Sequence, residues 1–125
     1  MTSARARVRA AENFLANLDE AFGFFHEQDA QTAPARVARL KADLREMVEV
    51  LAWAPGGGRP ARFLTAASVQ AQIRAARLVR MATEAGTPDL REYVIKQHIV
   101  LYAHSDAEVL LLAIRHQRRL TYTVP

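Results

Sequence analysis

The chain has 125 residues, enough for one hydrophobic core, and we expect a single domain over residues 1–125. It lacks cysteine, which excludes disulfide bonds and zinc–thiolate sites. It also has no apolar run long enough to span a membrane. We expect a cytoplasmic protein that needs no cofactor or metal. The net charge of +4 is uneven: residues 59–125 carry 10 basic and 5 acidic side chains, whereas residues 1–58 carry 7 and 8.

The N-terminal half predicts a short strand and two helices. Residues 4–9 alternate small apolar residues with arginine, which favours an edge strand, although they could equally be the frayed start of a helix. Two apolar stripes of helical period follow, the second with Thr32 as its cap and Pro34 in its first turn. Their short link predicts an antiparallel helical hairpin over residues 11–54. Its expected core residues are Phe14, Leu18, Phe22, Leu40, Leu44, Val48 and Leu51.

A glycine-rich break and a third helix come next. The break runs Trp53-Ala54-Pro55-Gly56-Gly57-Gly58-Arg59-Pro60 and lacks the Gly-Lys-Ser/Thr ending of a phosphate-binding loop, so it predicts a flexible turn. Residues 65–85 predict the third helix, with Val69, Ile73 and Ala76 facing inward. Its arginines, Arg74, Arg77 and Arg80, should face largely outward. The run Gly-Thr-Pro-Asp at residues 86–89 ends that helix.

The C-terminal part predicts a three-stranded antiparallel meander. Its strands cover residues 91–96, 98–103 and 108–115, and residues 104–107 supply the short polar side chains of a turn. The third strand is apolar without alternation over Val109–Ile114, so it should lie inside the sheet with both faces covered. These elements together predict an α+β fold in which the helical hairpin packs on one face of an antiparallel sheet.

In this order the elements resemble the RelE/ParE superfamily of toxins from bacterial type II toxin–antitoxin modules. The resemblance is carried by Ala54-Pro55 and Gly58-Arg59-Pro60 with one additional glycine, by Leu90–Val94, by Ile99–Tyr102 and by Ile114–Leu120. It spans nearly the whole chain except residues 65–86, where family members make a shorter connection, so the third helix looks like an insertion. The resemblance implies a growth-arresting toxin that is neutralised by a cognate antitoxin protein.

Two branches of this superfamily imply two targets. ParE-like members poison DNA gyrase, and the long hairpin and Gly-Arg-Pro break resemble that branch. RelE-like members cut mRNA on the ribosome, and the basic, histidine-containing end of the last strand is compatible with them. We slightly favour gyrase, because the RNA-cleaving relatives usually carry additional charged residues on the middle strands, where this chain offers mainly Lys96 and His98. The sequence leaves the choice open.

The candidate site residues cluster at the end of the last strand. If the chain is a nuclease, the predicted catalytic residues are His116 as acid or base, Arg118 for charge stabilisation and Tyr122 for stacking or as a hydroxyl group. The predicted phosphate- or target-binding residues are Arg91, Arg115 and Arg119. In a straight strand Arg115 would point away from His116, while His116 and Arg118 would share a face. Binding of an acidic partner, or plain solvation of the strand end, also stays open.

Overall fold

In the computed structural model, which describes residues 5–61, 68–119 and 122–124, a five-stranded sheet carries helices on both faces. The elements are β1 (Arg7–Ala10), α1 (Glu12–Gln28), α2 (Ala33–Trp53), β2 (Arg59–Pro60), α3 (Val69–Glu84), β3 (Asp89–Ile95), β4 (His98–His104) and β5 (Glu108–His116). The predicted α+β fold is confirmed, while residue 4 of the predicted edge strand and residues 65–67 of the predicted third helix lie outside the described residues. None of the helices in the described ranges is long and apolar enough to cross a membrane.

The sheet has the order β1-β5-β4-β3-β2, which places β5 and β4 inside it. Strands β3, β4 and β5 form the predicted antiparallel meander. The edge strand β1 runs parallel to β5, with Arg7 beside Glu108, so the sheet is mixed at this edge. The short strand β2 was not predicted; it pairs antiparallel with β3, with Arg59 opposite Glu92.

The hairpin of α1 and α2 covers one face of the sheet, as its two apolar stripes predict. The buried side chains of the hairpin and of this face form one apolar cluster. Full burial of one large apolar side chain stabilises a fold by roughly 1.5–3 kcal/mol, so the cluster holds the hairpin firmly on the sheet. Leu18, Phe22 and Val48, which were predicted for the core, are partly buried and pack against this cluster. The buried members on the helices are Phe14, Phe25, Ala33, Leu40, Leu44, Met47 and Leu51, and those on the sheet include Val100, Tyr102, Val109, Leu111 and Ile114.

Helix α3 covers the other face, but with a different side from the predicted one. Among the side chains of α3 that the structure describes, Ala75, Leu78 and Ala82 are buried. Val69 and Ile73 are 71% and 60% exposed, and Ala76 is exposed as well, so the predicted inward face was wrong. The helix carries apolar residues on two sides, and periodicity alone does not rank them. The side with small alanines allows the closer approach to the sheet.

A β-bulge in β5 decides which way the end of this strand points. Leu101 pairs with Ala113 and Tyr102 pairs with Leu111, so Leu112 is an additional residue in β5. Leu112 and Ala113 consequently both belong to the core under α3. Such a bulge re-aims the side chains that follow it. After it, Ile114 faces the hairpin, and Arg115 lies over Tyr122 on the side of α3.

Candidate functional site

The end of β5 is a tight turn rather than a continued strand. β5 ends at His116, whose Nδ1 accepts the backbone N–H of Arg118 at 3.1 Å and whose carbonyl accepts the N–H of Arg119 at 3.0 Å. Arg118 and Arg119 are exposed, and within the described part of the chain neither guanidinium pairs with an acidic side chain. The turn therefore presents two unpaired cations beside His116.

His116 faces the hairpin and contacts His98. The two histidines are opposite each other in β5 and β4, with ring centroids 5.4 Å apart, and the His98 ring meets Phe25 edge-on at 6.1 Å. Burial lowers the pKa of His98 to about 4, with His116 and Arg36 adding to the shift. Burial, followed by the neighbouring arginines, lowers the pKa of His116. Both imidazoles are therefore mainly neutral at pH 7.

The tautomer of His116 follows from its hydrogen bond to the turn. Because Nδ1 accepts the backbone N–H of Arg118, the neutral ring carries its proton on Nε2. This form offers no free nitrogen to accept a proton from a ribose hydroxyl. Its lowered pKa also reduces the fraction of imidazolium that could act as an acid. The geometry therefore does not suit His116 to proton transfer.

Tyr122 lies on the opposite face of the sheet, in the core under α3. Its hydroxyl donates to the fully buried carboxylate of Glu92 at 2.5 Å. Arg59 Nε lies 3.5 Å and the Arg115 guanidinium 4.0 Å from that carboxylate, and the Arg115 guanidinium carbon is 5.0 Å from the centre of the Tyr122 ring. Burial, followed by the bond to Glu92, raises the pKa of Tyr122. The Tyr122 hydroxyl is therefore buried and hydrogen-bonded within the core, where it does not face a ligand.

Arg91 lies at the far end of the sheet and does not join the cluster. In an antiparallel meander the start of β3 lies beside the end of β4, whereas His116 lies beside the start of β4. Arg91 instead donates to the carbonyl of Gly58 at 3.0 Å. The neighbouring Tyr102 hydroxyl accepts the Gly58 N–H and donates to the Pro55 carbonyl, both at 2.8 Å. These bonds hold the glycine-rich break, which is consequently well packed where a flexible turn was predicted.

Two adjoining cavities, of about 530 and 430 Å³, form a groove between the hairpin and the ends of β3, β4 and β5. We call it the basic groove. Its basic side chains are Arg36, Arg39, Lys96, Arg115, Arg118 and Arg119, and its acidic ones are Glu20 and Asp43. The cavities share Phe25, Arg36, Lys96, Gln97 and His98. The structure thus joins Arg118, Arg119 and His116 to residues of the hairpin, whereas the guanidinium of Arg115 lies on the α3 side of the sheet.

The sequence did not identify Phe24 and Arg36 as residues of the basic groove, nor Glu92 as the buried partner of Tyr122. The available signal for the first was the adjacent pair Phe24-Phe25, because neighbouring residues on a helix point in different directions and cannot both face one core. Phe25 is buried and Phe24 is 51% exposed in the groove. Arg36 reaches the site only because the hairpin folds back, which places its guanidinium carbon 4.2 Å from the centre of the Phe25 ring.

Comparison with known proteins gives three findings. The sequence profile of the ParE toxin of type II toxin–antitoxin systems matches residues 3–121. A chain of the chromosomal ParDE toxin–antitoxin system from P. aeruginosa has a similar fold, with a TM-score of 0.58 and 15% sequence identity over 90% of this chain and 96% of that chain. No curated protein matches the sequence. The profile match concerns the family, and the structural match at this identity concerns the fold.

Proposed function

This chain belongs to the ParE toxin family of type II toxin–antitoxin systems, and we propose that it arrests bacterial growth by binding and inhibiting DNA gyrase. The observation that carries the choice of target is the separation of His116 from Tyr122 by the sheet. RNA cleavage needs an acid, a base and a charge-stabilising group around one phosphate. Here His116 is hydrogen-bonded to the turn and Tyr122 to Glu92, which supports an inhibitor that acts by binding.

We also propose that a small antitoxin neutralises this chain by binding with an extended or helical segment of acidic and apolar residues. The support is the charge distribution, because the sheet half is the basic half of the chain. Since gyrase acts on chromosomal DNA, the proposed place of action is the cytoplasm. Co-expression of the small reading frame adjacent to the toxin should restore growth. A chain that is harmless when expressed alone, and that has no such neighbour, would contradict the toxin role.

The target is tested by inducing the protein briefly while following mRNA integrity and DNA supercoiling in the same culture. The purified protein is added in parallel to a gyrase supercoiling assay. We expect intact messages, double-strand DNA breaks in the cells and loss of supercoiling activity in the assay. Rapid codon-linked cleavage of mRNA that disappears in His116→Ala would overturn the proposal and identify the chain as a ribosome-dependent endonuclease.

A further inference from the structure

We propose that the basic groove binds a single strand of nucleic acid, with its arginines on the phosphates and Phe24 as a surface on which a base stacks. Nucleic-acid affinity of the isolated chain goes beyond the proposed inhibition of gyrase. Proteins that bind single strands combine a cationic groove with exposed aromatic rings, because every base has a face that can stack. Both features are present between the hairpin and the end of β5.

The charge of the groove favours an anionic ligand. Five basic side chains extend into it against two acidic ones, since the guanidinium of Arg115 lies on the α3 side of the sheet, near Glu92 and Tyr122. The carboxylate of Asp43 lies 3.5 Å from Lys96, and the two charges offset each other, which leaves an excess of arginines. Four of these five cations are arginines, whose planar forks bind phosphate oxygens in pairs. Arg118 and Arg119 are exposed and have no acidic partner among the described residues, so they are available to such a ligand.

Several side chains of the groove are held in place before a ligand arrives. Arg36 donates to Gln28 at 2.9 Å and lies over the Phe25 ring. Arg115 holds the turn itself, because from the α3 side it donates to the backbone carbonyls of His116 and Gln117 at 3.5 Å and also to that of Arg119. Such preorganisation reduces the entropy lost on binding. The exposed side chains of Arg39, Arg118 and Arg119 have to be ordered by the ligand itself.

The exposed apolar surface of the groove favours a nucleic-acid strand over an acidic helix. A helix docks through three or four apolar anchors spaced along one face, and it needs a matching apolar groove. Phe24 is the large apolar side chain of the groove that is exposed, whereas Phe25 beside it is buried. One exposed ring among arginines can stack on a base, whereas it is too little apolar surface to bind a helix that presents a row of leucines.

The test is fluorescence anisotropy of a labelled single-stranded DNA of about 12 nucleotides with the purified full-length chain, over a series of salt concentrations. For about three phosphate contacts we expect log Kd to change with log salt with a slope of about 2. The double variant Arg118→Gln/Arg119→Gln should bind about tenfold or more weakly and lower the slope by about 1.4. Phe24→Ser should weaken binding by roughly tenfold while keeping the slope.

The matched control is Arg77→Gln/Arg80→Gln, which removes the same charge from the exposed side of α3 and should change Kd by less than about twofold. Circular dichroism confirms that each variant is folded. Equal losses in the two double variants, or an acidic peptide of equal charge that binds the groove more tightly than the DNA, would overturn the inference. Because no gyrase is present, absent DNA binding with intact gyrase inhibition refutes this inference alone, and the reverse result refutes only the proposed target.

Discussion

His116 and Tyr122 are close in the chain, yet they lie on opposite faces of the sheet. The imidazole contacts His98 on the hairpin side, whereas the phenol donates to Glu92 in the core under α3. The strand ends in a tight turn at His116, and Tyr122 lies in the core under α3. Two groups on opposite sides of a packed sheet cannot act on one phosphate, so the two residues carry separate roles.

Tyr122→Phe should lower stability. The change leaves a fully buried carboxylate of Glu92 without its phenolic donor, which typically costs about 1–3 kcal/mol. Urea denaturation measures the difference in the free energy of unfolding. The control is Tyr93→Phe, because the Tyr93 hydroxyl has no hydrogen-bond partner among the described residues, and it should cost less than about 0.5 kcal/mol. Equal costs for the two variants would contradict the role of the Glu92 bond.

Gly58→Ala should destabilise the fold strongly. An added Cβ would lie 2.5 Å from the carbonyl oxygen of Glu92 and 2.8 Å from the Tyr102 hydroxyl, so β3 or the tyrosine must move. Overpacking of this kind typically costs about 1–3 kcal/mol. Gly23→Ala is the control, since its Cβ would meet no atom within 4 Å and a mid-helix alanine should stabilise α1 by roughly 0.5–1 kcal/mol. Thermal melting of both variants should shift in opposite directions.

The elements that could be predicted are those whose own residue pattern shows which of their faces are buried. The period of the hairpin and the apolar run of β5 directly reflect which faces are buried, and both predictions are confirmed. The inward side of α3 could not be predicted, because its sequence offers two apolar sides and only the sheet chooses between them. The packing of Gly58 depends on Tyr102, a distant residue whose approach leaves no local pattern.

The candidate site was predicted in part for the same physical reason. The cations at the end of β5 are consecutive in the chain, so the sequence reveals them. Arg36 and Phe24 join them only after the hairpin folds back onto the sheet. Glu92 looks like an ordinary exposed residue of a strand, and its burial depends on Tyr122 and on the flanking arginines. Groups brought together by tertiary structure have no sequence spacing from which to infer them.

Stability should fall as the pH decreases from about 6.5 to 4. The pKa of His98 is lowered to about 4 in the folded chain, so in this range the unfolded chain binds more protons and is favoured by acid. The loss should reach up to ~3 kcal/mol, and His116, whose pKa is also lowered, adds to it in the same direction. Urea denaturation at several pH values checks this.

The matched variants for the pH series are His98→Gln and His26→Gln. Removing His98 should flatten the dependence between pH 6.5 and 4, because the group that resists protonation in the fold is gone. His26 is exposed in the last turn of α1, and His26→Gln is the matched control for the loss of one histidine. A His98→Gln chain that keeps the full parental slope would show that other groups control acid stability.

Toxicity should depend on Arg118 more than on His116. Arg118 is an exposed cation without an acidic partner among the described residues, so Arg118→Ala removes a contact to the target complex without disturbing the core. A lost charge-assisted contact typically costs about 1.5–3 kcal/mol, which is roughly a tenfold to hundredfold weaker inhibition. His116→Ala removes a neutral ring that packs on His98, and a toxin that acts by binding should keep most of its activity.

Growth arrest at matched protein levels and the concentration for half inhibition of gyrase measure both effects, with Arg77→Ala on α3 as the charge control. If His116→Ala abolished toxicity while Arg118→Ala did not, proton transfer rather than binding would be the basis of growth arrest.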